Sequence, residues 1–306
     1  MHVTLEEMAR EALASRSKKD GGAGLSTALQ PFRLLPTDIP VPEQIQAIGE
    51  ACGVAADCVE NAYPCTPLQE SLVSVTEGNE NRSLRQLVYK LSGDISLDRF
   101  QQAWDGTIRA NPVLRTRICQ LEGQLRFLQA VIDQDLLWNT TTTNLDRFLK
   151  EDANNLMKLG GRFFRYALIL DNGQRYFVWT VHHALCDGAS LLEILSDVSS
   201  RLQNEPITQR APFEQFIEST TVKDSSKERE FWERTLSGLD VTAFPPLPQT
   251  TNFHASPSST VEGPITLTER APFGLTKALF LRAAWGILMS HHTGTENIVF
   301  GAINNG

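Results

Sequence analysis

No apolar run in this 306-residue chain approaches the roughly twenty residues that a membrane-crossing helix needs. An excess of positive charge is lacking too: 28 basic residues stand against 36 acidic ones, for a net charge of −8. Phosphate backbones are gripped by a basic face, so neither nucleic acid nor a membrane is an expected partner. Cysteine is sparse and unpatterned. The five (Cys52, Cys58, Cys65, Cys119 and Cys186) are an odd number with no CxxC pair. They read as free thiols of a cytoplasmic protein, not as a disulfide framework or a metal site. The start offers no secretory leader, because Met1 to Ser15 has two adjacent glutamates and no apolar centre. Internal repeats are absent. What remains, 41% hydrophobic and 21% charged, is ordinary globular composition, long enough for one large domain or two lobes.

One stretch stands out, Val181-His182-His183-Ala184-Leu185-Cys186-Asp187-Gly188. Packing alone does not ask for two adjacent histidines followed at a short distance by Asp-Gly. Upstream, Arg175 to Val181 is rich in β-branched and aromatic residues and predicts a strand. Downstream, Leu192, Leu195, Val198 and Leu202 recur every three or four residues, which predicts a helix over Ala189 to Leu202. The stretch is thus a strand-to-helix loop, a favoured position for reactive groups. Strand neighbours point to opposite faces, so His182 and His183 are expected to divide their roles. One supports from within and the other faces an opening.

Elsewhere the chain alternates between elements and breaks. Thr4 to Ala14 predicts a short helix with a Thr4/Glu7 capping box. Ser15 to Pro42, with its glycine run and four prolines, is a linker. A small helix follows from Pro42 to Val54, and Pro67 opens another through Leu72. Arg85 to Leu91 alternates as a strand. Leu97, Phe100, Trp104 and Ile108 make an amphipathic helix capped by Ser96 and stopped at Asn111-Pro112. Leu114 to Cys119 and Arg126 to Ile132 pair around Glu122-Gly123. Phe163 to Leu170 and Arg175 to Val181 pair around Asn172-Gly173, a strong tight-turn signal. Lys227 to Leu236 is a helix with Phe231 and Trp232 expected inward. After an irregular stretch, Asp240 to Pro264, come a helix from Phe273 to Met289 and a strand from Asn297 to Gly301.

The histidine stretch resembles the HHxxxDG signature of condensation domains of nonribosomal peptide synthetases. Other segments agree in order. Ala62-Tyr63-Pro64-Cys65-Thr66-Pro67-Leu68-Gln69-Glu70 is similar to the family's opening motif in its fungal form. Asn111-Pro112-Val113-Leu114-Arg115-Thr116 is similar to RHxxLRT, with Ala110 and Asn111 in the places of the first arginine and the histidine. Phe231 to Gly238 and Val299-Phe300-Gly301-Ala302 match later segments. The opening helix resembles the last helix of a preceding carrier domain.

The resemblance implies an α+β, α/β-sandwich architecture like chloramphenicol acetyltransferase, two-lobed, with the second lobe cut short. The expected parts are residues 1–16 as the carrier helix, 17–56 as linker and first helix, 57–245 as the first lobe, and 246–306 as the start of the second. It implies amide bond formation between a carrier-bound acyl or peptidyl thioester and a carrier-bound aminoacyl acceptor. The chain itself would bind no cofactor and no metal; its substrates ride on phosphopantetheine. Carrier domains on both sides and an adenylation domain are the expected partners.

By this resemblance His183 is catalytic, either accepting a proton or hydrogen-bonding the tetrahedral species. His182 supports the loop. Asp187 is implied to pair with Arg115, a buried pair whose breaking typically costs about 3–5 kcal/mol, and Gly188 permits close backbone approach. His291-His292, without an Asp-Gly after it, reads as a solvated helix end. Ser190-Leu191 replaces the Ser-Trp usual in epimerisation domains, and two histidines argue against a heterocyclisation domain. A terminal cyclising or releasing domain and a docking module without catalysis stay open as alternatives.

Overall fold

The structure, a computed structural model, describes residues 29–77, 83–134, 137–221, 225–239, 244–245, 259, 261–264 and 276–302. The helix expected at Thr4 to Ala14 lies outside them. The chain divides into two compact units, Met1–Lys223 and Asp224–Gly306. The division falls before the helix at 225–236.

In the first unit, helix α1 (Val41–Cys52) starts behind Pro40 and stops at Gly53, whose φ of 65° closes the last turn left-handed. Strand β1 (Val59–Pro64) leads into α2 (Pro67–Glu77), and β2 (Leu84–Leu91) into α3 (Leu97–Ala110). Ser96 caps α3 by accepting from the Arg99 N–H, as its sequence position predicts. Strands β3 (Thr116–Gln120) and β4 (Phe127–Ile132) pair antiparallel, and β1 joins β4 to give the order β1-β4-β3. Helix α1 lies on this small sheet, with Ile48 and Cys52 packed against Val59, Cys119 and Leu128.

The larger sheet has the order β2-β7-β6-β5. Strand β5 (Trp138–Thr142), helix α4 (Leu145–Asn154) and strand β6 (Phe164–Asp171) form a crossover unit, since β5 and β6 run parallel. Strand β7 (Gln174–His182) then turns back antiparallel through Asn172 and Gly173, both at positive φ, as a tight hairpin requires. Both faces of β7 are covered. Phe177, Trp179 and Val181 enter the main core under α3 and helix α5 (Gly188–Gln203), while Val178 faces α4. Ring centroids of Trp104 lie 4.9 Å from Phe177 and 5.0 Å from Trp179, an aromatic centre that fixes the sheet beneath the histidine loop.

Two polar anchors tie the connections down. Asp152, near the end of α4, accepts from Gln86 of β2, Arg165 of β6 and Thr180 of β7, at 2.8, 2.7 and 2.6 Å. Burial pushes its carboxyl up, but the bonds from Arg165 and Thr180 outweigh this and leave it below its ordinary value. Gly160, between α4 and β6, donates to the Ile118 carbonyl at 2.7 Å and accepts from Arg117 at 3.0 Å. Helix α6 (Phe213–Thr221) closes the unit, with Ile217 against Tyr63 and Val131.

The second unit shows α7 (Ser225–Leu236) and α8 (Lys277–Thr293). Trp232, expected inward, is 54% exposed. Residues 297–301 form no strand, because no described segment pairs with them. His291 and His292 lie exposed in the last turn of α8.

Candidate active site

Strand β7 ends at His182, and the chain crosses to α5 through residues 183–187. Backbone bonds pin the crossing. The His182 N–H donates to the Phe163 carbonyl at 3.0 Å, the His183 N–H to the Ser83 carbonyl at 2.8 Å, and the Leu185 N–H to the His182 carbonyl at 3.1 Å.

The two histidines diverge as strand geometry requires. His182 is completely buried, its ring 4.6 Å from that of Phe163. Its Nδ1 accepts from the Ala184 N–H at 3.1 Å, so the neutral ring carries its proton on Nε2. Burial, aided by the neighbouring His183, lowers its pKa to about 4. His183 is partly exposed, and its Nδ1 lies 2.9 Å from the carbonyl oxygen of Cys186. A carbonyl only accepts, so here Nδ1 donates, and in the neutral ring Nε2 presents the lone pair. The neighbours hold opposite tautomers, and of the two only His183 sets a basic nitrogen on a ring that solvent reaches.

The Cys186 thiol is no nucleophile. It is buried, and burial, reinforced by the Asp187 carboxylate, pushes it up to about 12. Asp187 is exposed and caps α5, its Oδ1 accepting from both the N–H and the Oγ of Ser190 at 2.7 Å. These bonds hold its carboxyl below the usual range. Gly188 opens the helix in open space, and its N–H belongs to the first turn, where amides lack a partner within the helix. Among the described residues no three His, Cys, Asp or Glu side chains gather as a metal ion would require.

Arg115 does not reach Asp187. It lies in the 3-10 turn Pro112–Arg115 that feeds β3, where it pairs with Glu60 at 2.7 Å and donates to the Ile132 carbonyl. The expected clasp between Arg115 and Asp187 is therefore corrected. Each partner is taken locally, Arg115 by the small sheet and Asp187 by the helix it starts.

The profile of the condensation domain family matches residues 59–306. The chain belongs to that family. It is 35% identical over 277 residues to AM-toxin synthetase of Alternaria alternata, covering 90% of this chain and 6% of that protein. It is 36% identical over 254 residues to nonribosomal peptide synthetase sidD of Aspergillus fumigatus, covering 82% and 12%. This condensation domain thus spans a small fraction of the fungal synthetases it matches. Its fold is that of solved relatives. A crystal structure of holo T3CT superposes with a TM-score of 0.69 at 20% identity, covering 89% of this chain and 62% of that one. The starter condensation domain of rhizomide synthetase RzmA gives 0.50 at 15% identity, covering 62% and 52%. The α+β architecture expected from the sequence is the one found.

Two supports of the histidine loop were not singled out from sequence, and one residue that was, Asn111, lies elsewhere. The Gln69 side chain donates to the Ala184 carbonyl, next to His183, at 3.0 Å. Ser83 contributes only a backbone carbonyl, which no sequence pattern marks. Asn111, in the histidine place of RHxxLRT, bonds Thr107 and the buried Asp197 of α5, which Arg210 pairs at 2.8 Å. Asn111 thus joins α3 to α5 and does not meet the histidine loop.

Proposed function

We propose that this chain forms an amide bond between a thioester on one carrier domain and the amine of an aminoacyl group on another. The observation that carries the reading is the Nδ1 bond of His183 to the Cys186 carbonyl, which leaves Nε2 as an acceptor on a partly exposed ring. The amine attacks the thioester carbonyl carbon, and its N–H is steadied or taken by Nε2. The tetrahedral species then expels the thiolate, and the proton lost by nitrogen ends on sulfur. Family membership and the fungal synthetases among its relatives support the same chemistry.

The magnitudes say which contribution dominates. An α-amine with a pKa of about 7.7–8.0 is already roughly one-tenth neutral at pH 7, at a cost of about 1.4 kcal/mol. Holding two tethered reactants together contributes roughly 7–11 kcal/mol. A positioned base contributes about 10²–10⁴-fold. His183 is thus the smaller partner of positioning, and its loss slows the reaction without abolishing it.

The test gives the parent protein and its His183→Ala variant loaded donor and acceptor carriers and quantifies amide. A fall of about 10²–10⁴-fold is expected. Equal product from both would leave only carrier docking.

A further inference from the structure

Helix α2 begins with Thr66-Pro67-Leu68-Gln69, a capping box. The Thr66 Oγ1 accepts from the Gln69 N–H at 3.2 Å, and the Gln69 Oε1 accepts from the Thr66 N–H at 2.9 Å. Capping boxes use glutamate or glutamine alike, because the backbone N–H needs only an oxygen. Here the residue is buried, 7% exposed, and its oxygen is already committed to Thr66. That fixes the amide's orientation and turns Nε2 inward. Nε2 donates to Oε1 of Gln129, itself completely buried, at 2.8 Å, and to the Ala184 carbonyl at 3.0 Å. Gln129 in turn donates to the Pro64 carbonyl at 3.2 Å, closing the path back to the start of the motif. An ionised glutamate would cap the helix equally well and could make neither inward bond. The helix therefore does not select glutamine; the histidine loop does.

Ala184 directly follows His183. Its N–H is held by His182 and its carbonyl by Gln69. We propose that Gln69 is a positioning residue for His183, acting through the Ala184 carbonyl with Gln129 as its support. The proposal deepens the amide-forming reading and rests on it. Without the amide hydrogens of Gln69, the Ala184 carbonyl loses its donor while the Leu185 N–H of the same peptide unit keeps its bond to the His182 carbonyl, so the unit is held at one end instead of two and the ring of His183 is set less firmly against the Cys186 carbonyl. A misplacement on the order of 1 Å can cost about 10²-fold in rate.

The test is Gln69→Glu, with Gln44→Glu as the matched control. Gln44 is also buried, and its Nε2 also donates to two carbonyls, those of Pro36 and Ile39, neither of them in the histidine loop. Both variants should lower Tm. Only Gln69→Glu should lower kcat, by about 10- to 100-fold, with KM nearly unchanged. The introduced carboxyl, buried against two acceptor oxygens, has a raised pKa, and once protonated it donates one bond again. Its kcat relative to the parent should therefore rise as pH falls. Gln69→Met, which keeps the length without the donors, replaces it if it fails to fold, and should show the same loss without the pH trend. Parent-like kcat in the folded variants, or equal loss in Gln44→Glu, overturns the proposal. If the parent itself forms no amide, the broader reading falls, and Gln69 is judged from the His183 ring alone. Nitrogen NMR should then show an Nδ1-protonated ring in the parent and mixed tautomers in Gln69→Glu; an unchanged ring refutes the role.

Discussion

Acid should loosen the first unit through His182. The ring is neutral when folded, with a pKa near 4 against 6.5 for an ordinary histidine. Above pH 6.5 neither the folded nor the unfolded chain protonates it, and its contribution is fully present. As pH falls from there toward 4, the unfolded chain takes up a proton that the folded chain refuses, so stability drops. Each pH unit across this window is worth about 1.4 kcal/mol, which caps the loss at about 3 kcal/mol. That is a sizeable share of a typical domain's roughly 5–15 kcal/mol. Urea unfolding at a series of pH values, followed by the emission of the buried Trp104 and Trp179, measures it. His182→Asn isolates it, because an amide oxygen can accept the Ala184 N–H in place of Nδ1 and does not titrate. The control matters because Glu214, raised by burial, titrates in the opposite sense. Asp152, lowered, acts only below the window. Identical slopes for parent and variant between about pH 7 and 4.5 would refute the reasoning.

Asp187→Ala should cost about 1 kcal/mol, the worth of an N-cap, and not the roughly 3–5 kcal/mol of a broken buried pair. Chemical denaturation distinguishes the two, and the larger value would mean that Arg115 is its partner after all. Gly160→Ala should destabilise by about 2 kcal/mol or more, because its φ is 71° and a Cβ would meet the Ala51 carbonyl oxygen at 1.9 Å. A parent-like Tm in that variant would show that the connection between α4 and β6 yields more easily than its hydrogen bonds suggest.

Much of the first unit was legible because its signals are local. The amphipathic spacing of α3, its Ser96 cap and the Asn172-Gly173 turn each fix a structure within a dozen residues. Strand β5 escaped because Trp-Asn-Thr-Thr-Thr is polar and sits at a sheet edge, where alternation is not enforced. Strand β1 escaped because it is short, mixed and ends in proline. The histidine loop was legible as chemistry, but its supports were not. Asp152 gathers Gln86, Arg165 and Thr180 from three strands, and distance along the chain hides such a hub. The clasp of Arg115 to Asp187 came from resemblance alone, and local competition overrode it. The Thr66–Gln69 capping box was readable as four letters, whereas the target of its second amide hydrogen needed the fold.

The His183 loop is fastened by a side chain and carbonyls from residues 69, 83 and 163, with Gln129 behind Gln69, all upstream of it within the first unit. Anyone recombining synthetases to make new peptides inherits this wiring. A splice placed between Gln69 and His183 would join a loop from one parent to anchors from another, and could spoil the geometry while every motif letter stayed intact. A junction beyond residue 223 carries the whole harness across together.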